Sequence, residues 1–185
     1  MNIDLSFESH YSIEILHELS SGERFYYPNG TTNGGKDGVM VEIISSEGNI
    51  WTGIFAFGEI STKGILGIYA MPAPDKICVV SKGAGYIVSS KNPTNWEEIR
   101  PIPILGVYPV KSQDIIIFSS YTELVAYDKS GVKWRTERLA YDSFKVIEVT
   151  EAYLKGEYWD IQYETNKNFE VDLSTGAQVG GIRNF

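Results

Sequence analysis

The feature that most constrains this chain is an internal repeat. Four segments share one plan: an apolar strand, a tight polar turn, then a strand opening on a large apolar residue. They are Val41 to Trp51, Tyr86 to Trp96, Leu124 to Trp134 and Phe169 to Val179, whose last residues lie 45, 38 and 45 positions apart. A period near 40 matches the size of one four-stranded β unit, too small to bury its own faces and obliged to stack on its neighbours. The turns carry Asp, Asn or Ser at their start, which accept backbone N–H bonds, and Gly further on, which supplies a positive φ. The large apolar residue that follows is expected to pack between neighbouring units.

The rest of the chain keeps the same rhythm. Ile65–Met71 with Ile77–Val80, Leu105–Val110 with Ile115–Phe118, and Phe144–Val149 with Tyr153–Trp159 supply the first two strands of the second, third and fourth units. Short strands with turn signals between them indicate an all-β propeller, sandwich or barrel. The run Ile115-Ile116-Ile117-Phe118 is apolar at every position, as expected of a strand buried on both faces. The first unit is irregular. Residues 28 to 38 hold five Gly or Pro and read as an exposed, mobile loop. Before it, Tyr11–Leu19 and Arg24–Tyr27 read as a hairpin turning at Ser20-Ser21-Gly22. The expectation is a single domain over residues 1–185: an antiparallel, propeller-like stack of about four four-stranded blades, with a β-sandwich or barrel as the alternative.

Leu124-Val125-Ala126-Tyr127-Asp128-Lys129-Ser130-Gly131-Val132-Lys133-Trp134 resembles a blade of the quinoprotein (PQQ-type) β-propellers, whose repeats carry an Ala-x-Asp, Thr/Ser-Gly and Trp pattern. Phe169 to Gly176 is similar but lacks the Trp. The likeness covers roughly the last 65 residues. The turn from Asp128 to Trp134 is shorter than the family's, and the adjacent cysteine pair of its dehydrogenases is missing. The resemblance therefore implies the fold and neither the cofactor nor the reaction.

Composition narrows the function. The net charge is −8 with no Lys/Arg run, which disfavours nucleic acid and anionic membrane surfaces and permits a basic protein partner. Cys78 stands alone in an apolar run and reads as a core residue rather than a nucleophile. The two histidines, His10 and His17, sit in the first twenty residues, with no ligand set for a metal and no base beside a nucleophile. Gly34-Gly35-Lys36 lacks the strand-to-helix context of a phosphate loop. The N-terminus has no basic-then-apolar leader, and no apolar run is long enough to span a bilayer, so a cytoplasmic protein without cofactor is expected.

The candidate binding residues are Tyr141, Asp142, Tyr158, Trp159 and Asp160, aromatics beside acids near strand ends of the last unit. Such pairs suit a sugar, a cation or a basic protein patch. Residues 140 to 185 carry eight Asp or Glu against four Lys or Arg. The function expected is a non-enzymatic interaction or binding module, in its sharpest form an acidic, immunity-type inhibitor. The alternative is a sugar-binding protein or an enzyme working through carboxylates drawn from Asp142, Asp160, Glu97 and Glu98, which requires two of them in one pocket.

Overall fold

A computed structural model describes residues 1–28, 37–58, 64–100 and 102–182. Among them there is no α-helix; a single 3-10 turn occupies Lys111–Gln113. The chain divides into two compact units, Met1–Ile104 and Leu105–Phe185.

The first unit holds β1 (Asn2–Asp4), β2 (Tyr11–Leu16), β3 (Arg24–Tyr27), β4 (Gly38–Ser45), β5 (Ile50–Ala56), β6 (Gly67–Ala70), β7 (Lys76–Ser81), β8 (Ala84–Ser89) and β9 (Trp96–Ile99). They form two sheets, ordered β2-β4-β5-β3 and β1-β6-β7-β8-β9. One core joins them: Tyr27, Val41, Ile43, Trp51 and Phe55 from the first sheet meet Ile68, Ile77, Val79, Tyr86 and Val88 from the second. Tyr27 stacks on Phe55 at 4.7 Å between ring centroids, and Tyr86 and Trp96 close the aromatic cluster.

The second unit holds β10 (Gly106–Val110), β11 (Ile115–Ser119), β12 (Leu124–Asp128), β13 (Gly131–Arg135), β14 (Phe144–Val149), β15 (Tyr153–Asp160), β16 (Thr165–Asp172) and β17 (Gln178–Gly180). Its sheets, β10-β11-β12-β13 and β14-β15-β16-β17, are plain antiparallel meanders. Ile115, Ile117, Leu124, Ala126 and Trp134 face Leu154, Tyr158, Phe169 and Val171 across the core.

The strands of the three later repeats form where the sequence places them, and three of the tight turns between them are satisfied by their own side chains. Asp128 Oδ1 accepts bonds from the Ser130 N–H and hydroxyl, and Asp172 Oδ1 from the N–H and hydroxyl groups of Ser174 and Thr175. Asn92 Oδ1 does the same for Thr94. The repeat's tryptophans behave as inter-sheet staples at two positions. Trp51 Nε1–H donates to the Ser90 carbonyl at 2.9 Å, and Trp134 Nε1–H to the Leu173 carbonyl at 2.8 Å. Each joins its own sheet to the turn after the third meander strand of the next.

Several expectations are corrected. The early segments do not form a hairpin: β2 pairs antiparallel with β4, and β3 lies parallel to β5 on the opposite edge. Parallel neighbours need a crossover, so Ser20-Ser21-Gly22 bends a longer connection instead of closing a tight turn. A second parallel pair, β1 with β6, adds a fifth strand to its sheet, so the stack is not wholly antiparallel. Trp96 does pack against the neighbouring sheet, as expected: its ring lies 5.5 Å from that of Tyr27 on β3, though it makes no staple like those of Trp51 and Trp134. Val179, which ends the fourth repeat, is 76% exposed and packs between nothing. Of the loop predicted at 28 to 38, residues 29–36 lie outside the described residues, and Gly38 already belongs to β4.

Candidate functional site

The candidate site gathers at the β15–β16 turn. Residues of β15 alternate: Leu154, Gly156, Tyr158 and Asp160 are buried, while Tyr153, Lys155, Glu157 and Trp159 face outward. This is the pleat of a strand with one face on the core and one toward solvent. Neighbours in sequence are therefore split between faces. Tyr158 and Asp160 point inward, and Trp159 points the other way with 52% exposure.

On the inner side lies a cleft of about 470 Å³, walled by Tyr141, Tyr158, Asp160, Tyr163 and Lys167. Asp160 is its best-fixed group. Its Oδ1 accepts the Gln162 and Tyr163 N–H groups at 2.9 and 3.2 Å, which shapes the turn. Its Oδ2 sits 2.7 Å from Lys167 Nζ. Lys167 and those backbone donors hold the Asp160 carboxyl below the usual carboxylate range, and Asp160 in turn raises the Lys167 ammonium. Lys167 Nζ also lies 3.8 Å from the centre of the Tyr163 ring, a cation–π contact. Tyr158 donates its hydroxyl to the Gly181 carbonyl at 3.1 Å. Arg138 donates to the Ala140 and Tyr141 carbonyls and so fixes the segment that carries Tyr141.

Of the five residues predicted, Tyr141, Tyr158 and Asp160 line this cleft. Asp142 is exposed and does not line it, and Trp159 stands on the opposite face. The sequence reading missed Tyr163 and Lys167, although the Lys167↔Tyr158 register of an antiparallel hairpin would have placed Lys167 beside the Tyr158–Asp160 face. Asp160 is the one carboxylate among the described residues of the cleft wall. In the first unit, Glu97 pairs with Lys76 and Glu98 with Arg100. Of the four candidates Asp142, Asp160, Glu97 and Glu98, Asp160 alone lines this cleft.

Around the turn stands a group of large exposed side chains. Beyond Trp159 the turn carries Ile161 at 68% exposure, and Tyr163, a wall of the cleft, at 63%. Cys78, by contrast, is fully buried, and that burial pushes its thiol up, away from nucleophilic chemistry. His17 is exposed, and His10 lies 3.3 Å from Glu8 and 3.4 Å from Asp75. No group of metal-ligating side chains assembles among the described residues. No helix among them is long and apolar enough to cross a membrane.

No family model matches the chain, and no curated protein is detectably similar to it. Among solved structures it is similar to a S. cerevisiae complex described as Dbp5 bound to Nup159, Gle1, IP6 and ADP, at 10% identity and a TM-score of 0.41, over 96% of this chain and 53% of that one. It is also similar to the N-terminal domain of Nup159, at 11% identity and a TM-score of 0.38, over 98% of this chain and 53% of that one. The chain spans about half the length of each.

Proposed function

We propose that this chain is a protein-interaction module whose β15–β16 tip docks a basic protein partner. The observation that carries this reading is the exposure of Trp159 and Ile161 on a turn held rigid by Asp160. Large aromatic and aliphatic anchors that are already ordered lose little entropy on binding, and Trp and Tyr dominate interface hot spots. The surrounding charge favours a basic partner. Residues 140 to 185 carry eight acids against four bases. Two of those bases, Lys155 and Lys167, are engaged with Glu170 and Asp160. An acidic inhibitor of a basic protein is the sharpest form of the proposal. The plain meanders and the tryptophan staples support reading the sheets as propeller-type blades, a scaffold that presents its turns at fixed positions.

The test is capture of partners by the tagged chain from its native host at low and high salt, beside a Trp159→Ala/Ile161→Ala variant. A basic partner that leaves at high salt and is lost with the variant is expected. Capture unchanged by both salt and substitution contradicts the proposal.

A further inference from the structure

The face of the first sheet that looks away from the core carries an apolar groove. The pleat sends Ile15, Val41, Phe55 and Tyr27 to the core side of β2, β4, β5 and β3, so Leu16, Met40, Ile54 and Tyr26 stand on the other side. The pairing register sets these four in one row across the sheet: Leu16 beside Met40, Met40 beside Ile54, Ile54 beside Tyr26. The row spans three strand spacings, about 14 Å. On one side it is walled by the connection that crosses this face from β2 to β3, the two opposite edges of the sheet. There Ser20 Oγ sits 2.7 Å from Thr52 Oγ1, one row along, and Leu19 stands beside the groove at 54% exposure. The other side is closed by Asp37 and Phe57. The Phe57 N–H donates to the Asp37 carbonyl at 3.1 Å, and the Lys82 ammonium lies 4.1 Å from the centre of the Phe57 ring. Between the walls is a space of about 640 Å³, floored by Tyr26, Met40 and Ile54.

The rim is acidic. Glu18 and Asp37 line the space, and Glu14 stands in the next row. None of the three makes an ion pair among the described residues. The bases nearby are His17 in the lining, Arg24 at the far end of the next row and Lys82 on Phe57. Residues 1 to 58 carry eight Asp or Glu against two Lys or Arg, a larger excess than in residues 140 to 185. An apolar floor under such a rim favours an apolar side chain with cationic neighbours, since burial supplies affinity and opposite charge selects the partner. The same acids repel a fatty acid or a phospholipid, whose chains would otherwise suit the floor.

We infer that this groove docks a linear segment of a partner protein, with a large aliphatic or aromatic side chain seated on Met40 and Ile54 and flanking Lys or Arg meeting Glu14, Glu18 and Asp37. The site lies in the first unit and does not depend on the Trp159 tip, which belongs to the second.

Selection of a phage-displayed random peptide library on the full chain tests this. Enriched peptides should share a large apolar residue flanked by Lys or Arg, and a synthetic copy should bind less tightly as salt rises. Its affinity should fall about tenfold or more in Leu19→Ser/Met40→Thr, which removes apolar surface and no charge. It should fall also in Glu18→Lys/Asp37→Lys, which changes exposed residues alone and leaves the floor intact. Trp159→Ala/Ile161→Ala should bind as wild type, which separates this groove from the tip. Failure to enrich any peptide overturns the inference. So does enrichment of peptides without basic residues, or binding that is unchanged in Glu18→Lys/Asp37→Lys or in a folded Leu19→Ser/Met40→Thr variant.

Discussion

Asp128, Asp160 and Asp172 each use one carboxylate oxygen to close a turn on backbone N–H groups two or three residues ahead. Their carboxyls are held below the ordinary value: for Asp128 and Asp172 chiefly by the Ser and Thr hydroxyls of their turns, for Asp160 chiefly by Lys167. A depressed folded-state pKa means stability that is whole above the unfolded Asp value of about 3.9 and is lost as pH falls through the lower folded values. Asn fills the same role at Asn92, so Asp→Asn keeps the turn and removes only the charge. The triple variant Asp128→Asn/Asp160→Asn/Asp172→Asn should therefore melt below wild type at neutral pH. The gap should close in acid, below the folded pKa values, and thermal melts across that range would show it. The Asp128, Asp172 and Asn92 turns were legible because Asp-x-Ser and Asn-x-Thr carry their own bonding partners within three residues; the Asp160 turn, which has no such hydroxyl, was not read. Cys78 was legible for a similar reason, its apolar neighbours. With no exposed surface, it should resist thiol reagents in the native protein and react only on unfolding.

Strands and sheets obey less local rules. Trp134 lies over the Leu173–Gly176 turn; a Cβ at Gly176 would come within 2.7 Å of its side chain, and the Leu173 carbonyl depends on its N–H. Trp134→Phe should cost about 1–3 kcal/mol by leaving that buried carbonyl unpaired. Val179→Ala, at the matching position of the last repeat, should stay within about 0.5 kcal/mol, and denaturant melts would separate the two. The tryptophan repeat was visible in the sequence, but whether each ring meets a following sheet was not, since that depends on what lies next to it in space. A second motif went unread. In Gly67-Ile68-Tyr69 and Gly106-Val107-Tyr108 the tyrosine ring folds back over the glycine two residues earlier, where a Cβ would sit 2.5 Å from its hydroxyl oxygen. The two copies lie 39 residues apart, one at the head of each first meander strand, so comparing repeats for small residues as well as large ones would have found it. The strand Arg24–Tyr27 was read, but the parallel pairings of β1 and β3 left no trace, because parallel pairing joins distant segments and has no turn to announce it. The alternation along β15 was present in the sequence; its consequence, that Trp159 and Asp160 serve opposite faces, follows once the pleat is applied residue by residue.

At the scale of the whole molecule, the proposed docking rests on a contrast. Strands such as β11 and β12 are buried on nearly every residue, whereas β15 alternates and carries the exposed Trp159 just before its end. Rigid sheets fix the tip, and a net charge of −8 sets the sign of the long-range field that a partner meets first. Association with a basic partner should slow as salt rises, while dissociation should respond mainly to Trp159 and Ile161; stopped-flow rates would separate the two. The most direct test of the docking claim is a hydrogen-exchange footprint of the chain with and without its captured partner. New protection is expected centred on residues 157 to 165, with the core strands β7, β8, β11 and β12 unchanged. Protection confined to other segments, with the β15–β16 turn exchanging as in the free protein, would contradict it.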